Sequence, residues 1–223
     1  MPRDVIEFER RRDYQAIRHF IALYGRAFQR REQHNRCPIP LTGPVLIAAN
    51  HTAGLDPIAV QSTCPRPITW VMTSDFYDLP ALKWFMQYTQ MVRIERGAND
   101  SGAWREAMRV LGEGRVVGVF PEGRIETEDA LLPFDPGIAL LATRGKADIY
   151  PVYIDGRQRG AKMLSTYLQP QSPSLAWGEP VRLDDVGKGR GRLETLTAKV
   201  QEEVERLRAR YPATRRAGKP LLS

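Results

Sequence analysis

The chain has 223 residues with 42% hydrophobic and 26% charged side chains, a composition typical of one globular domain with a single core. Its mean hydropathy of -0.41 and the lack of a long apolar stretch argue against a membrane span, and the charged N-terminus MPRDVIEFERRRDYQ argues against a secretory signal. The excess of 33 Lys and Arg over 26 Asp and Glu gives a net charge of +7, which favours an anionic partner: nucleic acid, an anionic membrane surface or a phosphorylated substrate.

The first predicted element is a basic amphipathic helix over residues 13 to 32. Its apolar residues recur at helical spacing and are interleaved with arginines: Ile17, Phe20, Ile21, Tyr24 and Phe28, with Arg18, Arg26, Arg30 and Arg31. Two interpretations fit this pattern. The helix either packs on the core with a solvated polar face or lies on a membrane surface.

Short apolar runs and helix-period segments alternate through the rest of the chain, which is the pattern of an α/β sheet. Strands are predicted at Val45–Ala49, Ile68–Thr73, Met91–Ile94, Val116–Phe120 and Ile149–Ile154. Helices are predicted at Asp78–Tyr88, at Gly137–Thr143, over Leu193–Leu207, and around Trp104–Leu111, the last capped by Asp100 or Ser101 and stopped by Gly112 and Gly114. Pro151 is unusual for a central strand and predicts an edge strand or a special backbone position.

The stretch NHTAGLDP, residues 50 to 57, places an imidazole and a carboxylate five residues apart directly after the first of these strands. A neutral imidazole can take a proton near neutral pH and so activate a hydroxyl, while a carboxylate can hold the ring tautomer and stabilise the imidazolium. A lone histidine near a strand end is more often structural, and His19 and His34 are left without a role. We identify His51 as a candidate base and Asp56 as its orienting partner.

Two arginines follow other predicted strands. Arg96 ends the segment MVRIER, and Arg124 ends FPEGR, which also presents Glu122 and Gly123 at a strand end. A guanidinium matches phosphate oxygens in a bidentate way, so the two arginines could hold a phosphomonoester beside the base. Taken singly, each arginine is more typical of a surface ion pair.

Four segments carry a resemblance to a known family. NHTAGLD resembles the HxxxxD signature of the glycerophospholipid acyltransferase superfamily, which includes the 1-acylglycerol-3-phosphate acyltransferases. MVRIER is similar to a form of the family's second motif, FPEG to its third and YPV to its fourth. The four occur in the family's order between about residues 45 and 155, roughly half of the chain.

The resemblance implies an α/β fold with a mixed central sheet flanked by helices. It implies transfer of a fatty acyl group from acyl-CoA or acyl-carrier protein to the free hydroxyl of a lysophospholipid, lysophosphatidate first, with no cofactor and no metal ion. On this basis His51 is the general base, Asp56 orients it, and no acyl-enzyme forms. The residues that position the acceptor and its phosphate are then Arg96, Glu122, Gly123 and Arg124.

The same resemblance bears on domains and location. Residues 1–34 are expected to form the N-terminal amphipathic segment, 35–212 the acyltransferase domain and 213–223 a flexible basic tail. Because acyl-chain substrates partition into membranes, it favours the interpretation in which the basic helix binds an anionic surface. We therefore expect a peripheral protein on the cytoplasmic face of the membrane.

Departures from the family's pattern leave the acceptor open. Gln90 and Arg93 stand where the second motif usually has Gly and an aromatic residue or Pro, and the third motif reads EGRI rather than EGTR. The family's F-K-x-G segment is here Phe134-Asp135-Pro136-Gly137. The alternatives are acylation of another lysophospholipid or of a non-phosphate acceptor, or a non-catalytic lipid-binding protein that keeps the fold.

Other function classes lack their signatures. The sequence has no G-x-S-x-G pentapeptide of a serine hydrolase and no H-E-x-x-H of a zinc hydrolase. Its basic residues are dispersed among acids, without an aromatic and basic nucleic-acid motif, so we expect no nucleic-acid partner. The two cysteines, Cys37 and Cys64, are too few for a disulfide framework.

Overall fold

The computed structural model describes residues 12–95, 100–125, 130–155, 170, 172–187 and 189–212. Its strands are β1 (Glu32–Gln33), β2 (Val45–Ala49), β3 (Ile68–Thr73), β4 (Val92–Ile94), β5 (Val116–Val119), β6 (Asp148–Asp155) and β7 (Ser174–Trp177). Its α-helices are α1 (Arg12–Leu23), α2 (Asp56–Gln61), α3 (Ser74–Tyr77), α4 (Pro80–Tyr88), α5 (Ser101–Gly112), α6 (Gly137–Gly145) and α7 (Arg192–Arg210).

The strands form one sheet in the order β1-β7-β6-β2-β5-β3-β4. Strands β2 to β6 run parallel to one another, and β7 pairs with β6 in the antiparallel sense. The predicted mixed α/β sheet is therefore confirmed. Because β2 to β6 are parallel, their carboxyl ends meet at one edge of the sheet, which we call the carboxyl edge; crevices at such edges are where open α/β sheets bind ligands.

The central strands are apolar because both faces of the sheet are covered. All five residues of β2 are fully buried, and alternate residues point to opposite faces. Helices α5, α6 and α7 pack on the face that receives Leu46 and Ala48. Helix α2 packs on the face that receives Val45, Ile47 and Ala49. The layers thus hold β2 and its carboxyl end rigidly between two cores.

The predicted N-terminal helix is present but shorter than expected. Helix α1 ends at Leu23, one π-helical turn follows over Tyr24–Phe28, and Glu32 and Gln33 then form β1 beside β7. One side of this segment packs inward: Tyr14 is buried, and a Cβ added to Gly25 would lie 2.7 Å from the Ser62 Oγ after α2.

The opposite side of the same segment exposes apolar side chains. Phe20 and Leu23 are 67% and 64% exposed, and Phe28 is 41% exposed. The rings of Phe20, Tyr24 and Phe28 stack in a row, with centroids 6.3 and 5.3 Å apart. The core-packing interpretation therefore holds for the face on α2, and the membrane interpretation stays a prediction for the exposed apolar groups.

The edge-strand interpretation of Pro151 is wrong, because β6 lies between β2 and β7. The Pro151 carbonyl accepts a hydrogen bond from Gly178 N at 2.8 Å, just past the end of β7. The backbone N and carbonyl of one strand residue point to the same neighbouring strand. The nitrogen of Pro151 therefore faces the end of β7, and its missing N–H removes no hydrogen bond between β6 and β2. The special backbone position is the correct alternative.

Within the described residues, no helix is long and apolar enough to cross a bilayer. The predicted basic tail, 213–223, lies outside the described residues, as does Arg96. The predicted domain limits stay a prediction, although β1 lies inside the segment 1–34 and pairs with β7 of the main sheet.

Candidate active site

His51 and Asp56 meet at the carboxyl edge, directly after β2. His51 Nδ1 lies 3.0 Å from Asp56 Oδ2, and the carboxylate is buried, with 3% of the residue exposed. The same Oδ2 accepts the backbone N–H groups of Thr52 at 2.6 Å and of Ala53 at 2.8 Å. The Thr52 hydroxyl donates to Oδ1 at 3.2 Å. The loop between the two residues is thus wrapped around the carboxylate.

This wrapping sets the hydrogen-bonding roles of the imidazole. An ionised carboxylate only accepts hydrogen bonds, so Nδ1 carries the hydrogen that faces Asp56. Nε2 then keeps its lone pair and can accept a proton. The side chain of His51 is 16% exposed, so the ring is held by the protein while part of it reaches the open edge.

Local sequence explains why Asp56 stands at this point. Asp56 begins α2, and Pro57 follows in the first turn, where its missing N–H breaks no helical hydrogen bond. A carboxylate at a helix N-terminus is stabilised by the helix dipole. Leu55 is buried and anchors the start of the helix. The five-residue spacing therefore returns the carboxylate to the imidazole that ends β2.

Asn50 fixes the peptide immediately before the imidazole. Its side-chain amide donates to the Ile154 carbonyl at 2.8 Å and accepts from Ile154 N at 2.7 Å. The amide thereby continues the pairing of β2 with β6 one step beyond Ala49. Asn50 is 2% exposed, and the sequence reasoning did not assign it a role.

The FPEG segment reaches the same site from the neighbouring strand β5. Glu122 Oε1 accepts the backbone N–H of His51 at 3.3 Å, so the predicted Glu122 lies directly against the predicted base. Gly123 has φ +68°, a left-handed conformation that favours glycine, and its N–H closes the turn on the Phe120 carbonyl at 3.1 Å. Sequence spacing and turn chemistry together present Glu122 to β2.

An aromatic column, formed by His51, Phe120 and Trp70, crosses three adjacent strands. The imidazole stacks on Phe120 with centroids 4.0 Å apart and 16° between the planes. Phe120 stacks in turn on Trp70 at 4.7 Å and 9°. Sequence reasoning missed Phe120 and Trp70 as neighbours of His51, because strand order is not readable from apolar runs.

Of the two arginines predicted to bind phosphate, Arg124 lies among the described residues and Arg96 lies outside them. Arg124 is exposed at the carboxyl edge, and among the described residues no side chain holds it in an ion pair or a hydrogen bond. Arg93 of the second motif is instead paired with Asp78 at 2.7 Å and with Glu95 at 2.5 Å. The Arg93 guanidinium lowers the pKa of the Asp78 carboxyl through their hydrogen bond. Arg93 thus links β4 to the segment before α4, and its guanidinium is already paired with two carboxylates.

In the part of the chain that the structure describes, no three His, Cys, Asp or Glu side chains are grouped so that they could hold a metal ion. The groups gathered around His51 are two carboxylates, a backbone loop and an aromatic face. This arrangement can take a proton from a hydroxyl and return it, and it needs no further group to orient the imidazole.

Comparison with known proteins places this site in a family context. The model of the acyltransferase family matches residues 30–155, more than half of the chain. The 1-acyl-sn-glycerol-3-phosphate acyltransferase of Bacillus subtilis is 22% identical over 177 residues, which cover 78% of this chain and 86% of that protein. Glycerol-3-phosphate acyltransferase 1 of Arabidopsis thaliana is 33% identical over 131 residues, which cover 58% of this chain and 20% of that protein.

A solved structure has the same fold. The 1-acyl-sn-glycerophosphate (LPA) acyltransferase PlsC from Thermotoga maritima superposes with a TM-score of 0.66 at 20% identity, over 94% of this chain and 88% of that one. At this identity the similarity speaks for the fold alone.

Proposed function

This chain belongs to the acyltransferase family, and we propose that it moves a fatty acyl group from acyl-CoA or acyl-carrier protein to the free hydroxyl of lysophosphatidate. The observation that carries the proposal is the buried Asp56 carboxylate, which accepts the Nδ1 hydrogen of His51 and leaves Nε2 as the base. The names of the relatives from Bacillus subtilis and other organisms support the choice of acceptor.

The geometry favours direct transfer. Nε2 of His51 takes the hydroxyl proton as the acceptor oxygen attacks the thioester carbonyl and forms the new C–O bond. Asp56 stabilises the imidazolium that results. When the tetrahedral intermediate collapses, the C–S bond breaks and the imidazolium returns the proton to the leaving thiolate. An ester and a free thiol form, and the enzyme ends in its starting protonation state.

The acceptor phosphate is assigned to Arg124 at the carboxyl edge and to Arg96, which follows β4 in the sequence. Arg124 has an exposed guanidinium without a described partner, two residues after Glu122, which contacts the base. A guanidinium can bind a phosphomonoester in a bidentate way. Gly123 gives the turn its shape, Glu122 holds the His51 backbone, and Arg96 is proposed to complete the phosphate site from the end of β4.

The location proposed for the enzyme is a membrane surface, approached from the cytoplasmic side. Lysophosphatidate and the product carry acyl chains that partition into a bilayer, and α1 exposes Phe20 and Leu23 beside a basic sequence. A peripheral contact through α1 would hold the enzyme at the surface in which its lipid substrate lies.

An acceptor panel tests the proposal. Purified protein is given one labelled acyl-CoA with lysophosphatidate, glycerol 3-phosphate, lysophosphatidylethanolamine or a non-phosphate acceptor, and the acylated product is quantified. We expect the highest kcat/KM with lysophosphatidate. A higher value with glycerol 3-phosphate, the substrate named for the Arabidopsis relative, would overturn the acceptor and leave the chemistry in place.

Two matched pairs of variants test the residue roles. His51→Ala is expected to lower kcat by at least about a hundredfold, the usual contribution of a general base. His19→Ala, at an exposed histidine of α1, is expected to change kcat by less than about twofold, since among the described residues its ring bonds the Gln15 carbonyl of its own helix. Unchanged turnover in His51→Ala would overturn the mechanism.

The second pair concerns the phosphate. Arg124→Ala is expected to raise KM for lysophosphatidate on the order of tenfold with little change in KM for acyl-CoA. Arg144→Ala is the control, because the last turn of α6 leads into the amino end of β6 at the opposite edge of the sheet. Equal effects of the two substitutions would remove Arg124 from the site.

A further inference from the structure

We propose that Trp70 is a positioning residue for acyl transfer, holding the plane of the His51 imidazole through the ring of Phe120. The inference rests on the proposed role of His51 as the base. Trp70 lies on β3, outside the four family-like segments, and it does not touch His51. It acts through Phe120, whose ring lies between the two, 4.7 Å from the indole and 4.0 Å from the imidazole.

The need for such a support comes from the geometry of the dyad. The hydrogen bond between Nδ1 and Asp56 fixes one atom of the imidazole, and the ring can still swing about that contact. Nε2 lies on the far side of the ring, so a small rotation moves the proton acceptor by a large part of an ångström. Displacements of this size lower the rates of enzyme reactions strongly. Face-to-face contact with Phe120 removes this freedom.

Phe120 needs a backing of its own. It follows β5 at the carboxyl edge and is itself only half-buried, so without support its ring could move away from the imidazole. Trp70 blocks that retreat, because the indole lies parallel to the phenyl ring, with an interplanar angle of 9°, and is 1% exposed. The rigid part of the column is therefore its buried end.

Gly118, which has no side chain, leaves the space that the Trp70 indole fills. Trp70 pairs in register with Gly118 of β5, and a Cβ added to Gly118 would lie 2.6 Å from the indole Cε3. Because alternate residues of a strand point to the same face, Gly118 and Phe120 lie on one side of β5. The indole therefore crosses over Gly118 and ends beneath Phe120.

One feature of Trp70 does not fit a residue chosen for core stability alone. Its indole Nε1–H is buried and has no hydrogen-bond partner among the described residues. Trp177, the other fully buried indole, donates to Thr63 Oγ1 at 3.1 Å. An unsatisfied buried donor lowers stability, and such departures occur where function sets the residue.

The test compares substitutions at these two indoles. Trp70→Leu is expected to lower kcat about tenfold while KM for both substrates changes by less than about twofold, because substrate binding is intact and Nε2 is misplaced. Trp70→Phe keeps an aromatic face and removes the unsatisfied N–H, so it should restore most of the lost kcat. Trp177→Leu and Trp177→Phe are the matched controls for loss of a buried indole, with thermal unfolding measured for all four.

A second pair of variants leaves Trp70 in place and changes the space beside its indole. Gly118→Ala is expected to displace the indole and to lower kcat with KM unchanged. Gly112→Ala is the control, because a Cβ added there meets no atom within 4 Å. A kcat that falls only in proportion to the loss of folded protein, equally at Trp70 and Trp177, would overturn the proposal.

An NMR measurement separates this inference from the proposed reaction. The ring C–H signals of His51, assigned by their loss in His51→Gln, are expected to shift in Trp70→Leu because the column relaxes. The signals of His34 serve as the internal control, since that ring stacks on Tyr211 at 4.5 Å, away from Trp70. Unmoved His51 signals would overturn the positioning role, whereas full turnover in His51→Ala would overturn the proposed reaction and leave this structural test standing.

Discussion

Asp56 makes more contacts at the residue scale than the orientation of one imidazole requires. Its Oδ2 accepts from His51 Nδ1 and from the backbone N–H groups of Thr52 and Ala53, and the Thr52 hydroxyl is shared between Oδ1 at 3.2 Å and Oδ2 at 3.4 Å. The carboxylate thus builds the loop as well as the dyad. The two roles differ in what they need from the side chain, because the loop needs an acceptor oxygen and the imidazolium needs a negative charge.

Asp56→Asn separates these two roles. The amide oxygen can take the place of Oδ2, and the amide NH₂ can face the Thr52 hydroxyl, which both donates and accepts. We expect the melting temperature to change little and kcat to fall on the order of a hundredfold, because only the charge opposite the imidazolium is lost. Asp56→Ala, the comparison, should also lower the melting temperature, since two buried backbone N–H groups lose their acceptor. Full turnover in Asp56→Asn would show that the charge is not used.

The two cysteines give a second prediction at the residue scale. The Cys64 side chain hydrogen bonds to Cys37 and lowers the pKa of the Cys37 thiol, while burial raises the pKa of Cys64 well above its usual range. The thiolate is the reactive form, so Cys37, which is partly exposed, should be alkylated at lower pH than an ordinary thiol, and Cys64 should stay unmodified in the folded protein.

Removing the donor should reverse this shift. In Cys64→Ala the pKa of Cys37 rises, and the pH at which iodoacetamide labels it at half its maximal rate should move upward. Peptide mass mapping after labelling across a pH series measures both sites. Labelling of Cys64 before Cys37, or an unchanged profile in Cys64→Ala, would contradict the assignment.

At the scale of elements, side-chain amides make hydrogen bonds at strand ends that a backbone peptide group would otherwise make. The Asn35 amide donates to the Trp177 carbonyl at 2.6 Å and accepts its N–H at 2.8 Å, the same pairing that Asn50 makes with Ile154. Each amide extends a strand pair beyond its last residue. A side chain can do this because its carbonyl and NH₂ match the spacing of a peptide group.

Arg66 has a comparable role at the amino edge of the sheet. It is 4% exposed and donates to the carbonyls of Pro40, Gly43 and Gly114, which lie in the turns before β2 and β5. Arg66→Met keeps the length of the side chain and leaves these three carbonyls without its donors. We expect the free energy of unfolding, from denaturant titration, to fall by about 3 kcal/mol.

The control for Arg66 is an exposed arginine. Arg109 on α5 forms ion pairs with Glu106 of the same helix and with Glu113 just after it, and such surface pairs contribute little. Arg109→Met should lower the free energy of unfolding by no more than about 0.5 kcal/mol. Similar losses in the two variants would mean that Arg66 is not a tie between the turns.

Elements that bury a continuous apolar run were predictable from sequence, and elements formed by distant pairing were not. The run Val45–Ala49 was predicted at its full length because it is buried on both faces. Strand β1 has two exposed polar residues, Glu32 and Gln33, and exists only because β7 lies beside it. Helix α2 has six residues, begins at Asp56 itself and is too short to show a helical period.

In the candidate site too, local pairs were predictable from sequence and contacts between distant residues were harder to predict. The His51 and Asp56 pair was readable because both residues lie within one short segment and their chemistry is local. The contact of His51 with Glu122 joins residues 71 positions apart; the sequence placed Glu122 at the end of another strand, and the family resemblance gave it a role beside His51. The aromatic column depends on the register of β3 against β5, which no local pattern encodes.

On the scale of the whole molecule, charge and apolar exposure coincide on the N-terminal segment. The chain carries a net charge of +7, and the exposed Phe20 and Leu23 lie near the exposed Arg26 and Arg30. Helix α6 also exposes Leu140 at 44%, but it covers the opposite face of the sheet. Leu41 and Trp84 are also exposed, at 73% and 65%, and we propose the side of α1 for an interfacial contact because its aromatic row lies among arginines.

Liposome co-sedimentation tests that side. Binding is expected to require anionic lipid and to weaken as salt rises from 0.05 to 0.5 M, since Lys and Arg near an anionic surface contribute about 1 kcal/mol each and are screened by salt. Phe20→Ser with Leu23→Ser should lower the partition coefficient by at least about tenfold even at low salt, because each buried apolar side chain contributes about 1.5 to 3 kcal/mol. Leu140→Ser, the matched control, should bind like the unmodified protein. Binding that ignores lipid charge, or that Leu140→Ser weakens as much as the double variant does, would contradict a membrane contact through α1.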